Sequence, residues 1–167
     1  MDQENAKKPF FNFQSPTYGL VDFGQVISML IRYFSADPLS EYDLIIGTDS
    51  LSSSNGHVDF ISAIAVHRLK KGGIYFWTRV PETGIFTLRD RMYEEALLSI
   101  RLAEQVLSVL KAKDITRFNL MIHVDIGPNG ETKKMLQEIV GMVKGNGFSV
   151  MTKPDSYAAS SVADRHT

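Results

Sequence analysis

The sequence predicts a single α/β domain: a three-stranded antiparallel meander followed by α-β-α-β-α, with helices on both faces of a mixed sheet and an extra helix in front. Three observations lead there. Residues 43–80 hold three β-rich runs separated by turn residues, and residues 88–111 keep a helical apolar period throughout. Two aliphatic runs, Leu44-Ile45-Ile46 and Leu120-Met121-Ile122, each lead within a few residues to an aspartate.

Length and composition suit that class. A chain of 167 residues with 44% hydrophobic and 22% charged residues buries one core without cross-links. There is no cysteine, which removes disulfides, thiolate chemistry and zinc-cysteine sites and leaves His, Asp and Glu as metal ligands. The net charge of −1 provides no global field to hold a polyanion, so any nucleic-acid contact must be local. Residues 1–8 are polar and no apolar run reaches the roughly 20 residues that span a bilayer, so a cytosolic setting without membrane partners is expected. Oligomeric state is left open.

In chain order, residues 1–20 form an N-terminal arm and residues 21–167 the domain. The stretch 9–19, PFFNFQSPTYG, mixes aromatics with Pro and Gly without a period and predicts an irregular arm. Its Phe10, Phe11, Phe13 and Tyr18 either lie across the core edge or stack unpaired bases. Val26, Ile27, Leu30, Ile31 and Phe34 have helical spacing, and Asp37-Pro38 ends that helix. Strands follow at 43–49, 57–69 and 74–80, joined by SSSNG at 52–56 and KKGG at 70–73. The long helix 88–111 buries Met92, Ala96, Ile100, Ala103, Leu107 and Leu110. A second buried strand, 118–124, runs into Asp125 and the loop Gly127-Pro128-Asn129-Gly130. A helix at 131–143, a short strand at 148–152 and a helix at 155–165 complete the order.

The two most apolar strands belong in the sheet centre. Paired in parallel through a right-handed crossover, they bring Asp49 and Asp125 to one carboxyl edge, where open α/β sheets bind ligands. On the long helix Glu95 falls about 300° from Met92, at the border of the buried face, while Glu94 falls about 200° away, toward solvent. A fourth acid comes from Asp155 or Asp164 in the tail, although Asp155 also suits a helix N-cap. Carboxylates crowded in one cleft oppose each other's ionisation, and a hard divalent cation, Mg²⁺ or Mn²⁺, relieves this. Asp49, Glu95, Asp125 and Asp155 are the metal-ligand candidates, with Asp164 as the other candidate catalytic acid. Two such ions would support hydrolysis of a phosphodiester by in-line attack.

Around these acids, Thr48, Ser50, His123, Asn129, Lys153 and Ser156 are candidate supporting or substrate-contacting residues. His123 either supports a metal-bound water or is a core histidine. Gly127–Gly130 either offers backbone N–H groups to a phosphate or is a plain turn, and it lacks a P-loop lysine at the required spacing. Arg68, Lys70, Arg79, Arg89 and Arg91 form the one basic stretch, read either as a nucleic-acid rim or as a solvated hairpin edge.

The motifs SPTYG at Ser15, IIGTDS at Ile45, HVDIGPNG at His123 and KPDSYAASSVADR at Lys153 resemble the bacterial YkuK family of the ribonuclease H-like superfamily, over residues 13–167. The extra N-terminal helix departs from the simplest layout of that superfamily. By that resemblance the first-strand acid matches Asp49, the helix acid Glu95, the fourth-strand acid Asp125 and the last-helix acid Asp155 or Asp164. It implies a fold shared by nucleases, junction resolvases, transposases and, more distantly, sugar-kinase-like ATPases. The expected function is metal-dependent nuclease or phosphodiester hydrolase activity on RNA or DNA. Its alternative is a catalytically inactive module that binds nucleic acid or a protein partner, and nucleotide phosphohydrolase activity ranks below both.

Overall fold

Twisted antiparallel strands in the first half of the chain build one side of a seven-stranded sheet, and parallel strands in the second half complete it. The computed structural model describes residue 10 and residues 12–128 and 130–153. Within them the order is β1 (Asn12–Ser15), β2 (Gly19–Asp22), α1 (Phe23–Ala36), β3 (Tyr42–Ser52), β4 (Val58–Arg68), β5 (Gly73–Glu82), α2 (Leu88–Ala112), β6 (Asn119–His123), α3 (Lys133–Gly145) and β7 (Ser149–Met151). The strands lie in the order β2-β1-β5-β4-β3-β6-β7. β3 and β6 pair in parallel, as do β6 and β7, and the meander β3-β4-β5 is antiparallel. The meander, the central parallel pair and the long helix are as expected.

The N-terminal arm is not irregular. Residues 12–15 and 19–22 form a hairpin that adds to the sheet beside β5, through Gln14 opposite Trp77. The short strands escape a period reading because each offers only two inward positions. Phe13 is fully buried and Phe10 nearly so, which places them in the core and removes them from base stacking. Asp22 then closes a capping box with Gln25, so the strand passes directly into α1.

The core lies on one face of the sheet. Leu44 and Ile46 of β3, Phe60, Ile64 and Val66 of β4, Phe76 of β5 and Ile122 of β6 pack there against Val26 and Leu30 of α1, Leu102 and Val106 of α2, and Ile139 and Val143 of α3. On the opposite face a smaller cluster holds Ile45 and Ala63 with Ala65, Tyr75, Trp77 and Met121. The three helices among the described residues all cover the first face. The helix expected at 155–165 lies outside the described residues. No helix among them is long and apolar enough to cross a membrane.

Two turns show why the meander closes where it does. Asn55 and Gly56 both take positive φ, with His57 N–H bonded to the Ser54 carbonyl, which is the primed turn that suits the twist of β3 and β4. At the other end Lys70 and Gly72 take positive φ between β4 and β5.

Phe13→Ala tests whether the hairpin is integral. An integral strand predicts a loss of about 3–5 kcal/mol in urea unfolding, whereas Leu39→Ala, 92% exposed, should change stability by no more than about 0.5 kcal/mol. Near-equal midpoints for the two variants would return the arm to a loose appendage.

Candidate acidic site at the carboxyl edge of the central strands

β3 is longer than its apolar run suggests. It continues past Asp49 to Ser52 because Ser50, Leu51 and Ser52 still pair with Phe60, Asp59 and Val58 of β4. On its other side β6 stops at His123, level with Gly47. Asp49 therefore stands where one neighbour has ended and the other continues. Counting two residues on from the Gly47–His123 pair brings Asp125 level with Asp49, as the parallel register requires. The backbone beyond β6 and β7 stays linked, with Val124 N–H bonded to the Met151 carbonyl at 2.8 Å and Lys153 N–H to the Ile126 carbonyl at 3.3 Å.

Side chains on β3 alternate, so Thr48 and Ser50 face α2 while Asp49 points to the other face. The Ser50 hydroxyl donates to Glu95 Oε1, and the Ser99 hydroxyl donates to Thr48 Oγ1 at 2.9 Å. The two contacts fit one geometry. Four residues along a helix advance about 6 Å and two along a strand about 6.6 Å, so α2 running antiparallel to β3 keeps both pairs in step. Thr48 and Ser62 Oγ, 2.8 Å apart, extend the chain of hydroxyls to β4. Thr48, Ser62 and Ser99 are all buried, and each finds a partner in the others.

Asp49 and Asp125 lie within electrostatic reach of Glu95, although Asp49 points to the face opposite α2. Glu95 is half-buried, and removal of its carboxyl from water, more than any other cause, pushes its pKa up to about 8. The hydrogen bond from Ser50 opposes that rise, the charges of Asp49 and Asp125 add to it, and Arg91 lowers it. Asp49 Oδ1 accepts the Ser50 N–H at 2.8 Å, and Asp125 Oδ1 lies 3.0 Å from Lys153 Nζ. Lys153, a candidate substrate contact, forms an ion pair with Asp125.

Among the described residues, no three His, Asp or Glu side chains are grouped closely enough to hold a metal ion as they stand. The three acids offer oxygen donors only, and burial together with the charges of Asp49 and Asp125 opposes ionisation of Glu95. Ser50 holds one oxygen of Glu95 and Lys153 one of Asp125. A cation shared by the three acids would replace at least the second of these contacts.

Other assignments divide. His123 is buried beside Gly47, and its imidazole is held below the usual range, chiefly by burial, with the charge of Asp43 opposing. This fits the core-histidine reading. Asp155, Asp164, Asn129 and Ser156 lie outside the described residues. Gly127 serves as a turn acceptor, its carbonyl taking the Thr132 hydroxyl at 3.2 Å. Glu94, expected in solvent, is half-buried with a raised pKa from burial, countered by Arg101 and increased by Glu82. The helix stripe is therefore broader than its aliphatic residues mark.

The basic stretch is not one rim. Arg68 and Lys70 sit beside the start of β3, since Arg68 pairs in register with Tyr42, at the opposite end of the sheet from Asp49. Arg68 packs over the Tyr33 ring at 4.1 Å and bonds the Tyr33 carbonyl and the Tyr42 hydroxyl, so it fastens α1 to the sheet. Antiparallel strands reverse direction every ten or so residues, which separates cations that are near in sequence. Arg79, Arg89 and Arg91 do lie toward the acidic end. Arg79 pairs with Asp59 at 2.7 Å, Arg89 with Glu138 at 2.9 Å, and Arg91 bonds the Ser52 hydroxyl at 2.9 Å. Ser62 and Ser99 went unmarked in the sequence, although Ser99 stands four residues after Glu95 and so shares its helix face.

Comparison with known proteins agrees with the fold. A family model described as Ribonuclease H-like matches residues 25–167. The chain is 32% identical over 172 aligned positions to the "Uncharacterized protein YkuK" of Bacillus subtilis (strain 168), covering 94% of this chain and 97% of that protein. No solved structure gave a significant match. With a meander, a crossover helix and a parallel pair in the expected order, and both sequence matches spanning most of its length, the chain belongs to the YkuK family of ribonuclease H-like proteins.

Proposed function

We propose that the protein is a divalent-metal-dependent nuclease or closely related phosphodiester hydrolase. The observation that supports this best is the state of Glu95 near the carboxyl edge, its pKa pushed up to about 8 chiefly by burial, with the charges of Asp49 and Asp125 adding to the rise. Such an arrangement is unfavourable to folding, and acids perturbed in this way cluster at functional sites. Mg²⁺ or Mn²⁺ held by these three acids would polarise a phosphodiester and lower the pKa of an attacking water.

The chain's own residues have separate tasks. Asp49 and Asp125 supply fixed negative charge from two adjacent strands. Ser50 orients the Glu95 carboxyl through its hydroxyl, and the Ser99–Thr48–Ser62 chain fixes α2 against the sheet so that this contact keeps its register. Lys153 holds Asp125 in place until substrate or cation takes over its charge. Arg91, fixed to Ser52, lies near Glu95 and is suited to a phosphate on the substrate side of the cluster.

The Lys153–Asp125 ion pair also favours a second reading, in which the lysine takes the cation's place permanently and the cleft binds nucleic acid without cutting it. The two readings differ in a direct assay. Wild-type protein with millimolar Mn²⁺ should cleave a single-stranded, hybrid or branched substrate, and Asp49→Asn should reduce the rate by roughly a hundredfold or more while keeping its melting temperature. Absence of cleavage by the wild type together with an unchanged melting temperature in Mn²⁺ would favour the binding module. Cleavage that persists in Asp49→Asn would remove Asp49 from the site.

A metal-free experiment examines Glu95 alone. Its ordinary pKa of 4.5 is raised on folding, so the folded chain keeps a proton that the unfolded chain has released. Stability from this group is full below about 4.5, declines as pH rises toward about 8 and is flat beyond. Glu95→Gln has no such proton, so its melting temperature should rise relative to wild type between pH 5 and pH 8 in EDTA. Parallel curves for the two proteins across that range would show that the carboxyl is not desolvated.

A further inference from the structure

The acidic cluster leaves one conspicuous neighbour unexplained. Phe86, in the loop between β5 and α2, is 76% exposed although it is a large apolar side chain. It is also held in place. The ring lies over Gly56 of the β3–β4 turn, so close that a Cβ at that position would stand 2.6 Å from Phe86 Cε1. The adjacent Ile85 N–H bonds the Gly56 carbonyl at 3.1 Å, locking the two loops together. One side of the ring rests on bare backbone and the rest faces water.

The cations next to it are arranged in sequence order along the first turns of α2. Thr87 caps the helix through the Asp90 N–H, and Arg91 follows, bonded to Ser52 on the same extended part of β3. Ser52 is a neutral partner, and Arg91 also lies within electrostatic reach of Glu95. Arg89 is neutralised by Glu138 and contributes little net field. Glu95 lies seven residues into α2, about 10 Å along its axis from Leu88. An exposed ring, an arginine bonded to a neutral hydroxyl and Glu95 therefore follow one another along the loop and first turns of α2.

Resting on the nuclease or nucleic-acid-binding reading of the site, we propose that the Phe86–Gly56 platform and Arg91 form a binding subsite for single-stranded nucleic acid. A base stacks on the outward face of Phe86, and Arg91 takes a backbone phosphate as the strand passes toward Glu95. The ring needs an unpaired base, since a duplex presents its base faces only at its ends. Base–aromatic stacking is sequence-tolerant, and truncating such a ring weakens binding by roughly five- to a hundredfold. A purely apolar protein contact would not call for the arginine in this position, and a duplex-binding surface would not call for the ring.

The test uses the full chain in EDTA, so that it does not depend on cleavage. The probes are an oligonucleotide of about 12 nucleotides carrying 2-aminopurine and a blunt duplex of the same sequence, with binding read by anisotropy and stacking by 2-aminopurine quenching. Phe86→Ala should weaken single-strand binding by roughly five- to a hundredfold and abolish quenching, Phe86→Trp should retain both, and Arg91→Gln should weaken binding while leaving quenching at saturation. Failure of the wild type to bind the single strand, equal binding by Phe86→Ala, or an equal loss for the duplex would overturn the subsite. The separate reading of the acids is distinguished by Asp49→Asn. Phe86-dependent binding without Asp49-dependent cleavage supports the platform and removes the chemistry. Asp49-dependent cleavage with Phe86→Ala unchanged in binding keeps the chemistry and removes the platform.

Discussion

Everything at the acidic edge depends on the parallel pairing of β3 with β6. Five consecutive pairs from Asp43–Asn119 to Gly47–His123 fix the two strands in one register. A slip of one residue would turn Ile46 and Ile122 out of the main core, where both are fully buried. Burial thus makes the register costly to change. Because the register is fixed, residues two positions beyond its last pair must stand level, and these are Asp49 and Asp125. The hydrophobic effect sets the position of two charges that it cannot itself favour.

The helix α2 converts that two-strand arrangement into a three-residue one. Its aliphatic face alone would allow it to slide, since apolar contact is not directional. The hydroxyl contacts Ser50–Glu95, Ser99–Thr48 and Thr48–Ser62 are directional, and the buried ones leave an unmet donor or acceptor if the helix shifts by a turn. Their matched spacing on helix and strand makes them a register device for the whole layer. Glu95 is the exception within it. Desolvation and two like charges act against its ionised form, and only Ser50 and Arg91 act for it. The local conflict sits at the edge where the fold leaves room for a ligand, while the same helix is free of conflict one turn away at Ser99.

Much of this was legible in the sequence because two periods are strong. The alternation and apolar density of 43–80 and the long stripe of 88–111 survive in the structure with their ends moved by a few residues. Handedness and helix phase bring Asp49, Glu95 and Asp125 toward one end of the sheet, and the charges of both aspartates act on Glu95. What escaped was short or indirect. The Asn12–Ser15 and Gly19–Asp22 strands are too brief for a period, and the sequence shows aromatics there without showing that they face inward. The basic stretch looked continuous because charge along a chain does not record strand reversal, so Arg68 was grouped with Arg91 although the sheet separates them. Lys153 was visible as a residue near the acids, whereas its ion pair with Asp125 depends on β7 lying beside β6.

The flanks of the sheet bear on a different property. β2 spans four residues and passes straight into a helix cap, and β7 spans three. Between these short flanks lie β3 and β4, eleven residues each and rich in β-branched and aromatic side chains. Such strands on an open edge would offer a long row of unpaired backbone groups to another molecule. Placing them inside and ending the described sheet on brief strands limits the backbone available for intermolecular pairing. The hairpin before α1 thereby closes the side of the sheet beyond β5 with two short strands, leaving little of that edge as a long open strand.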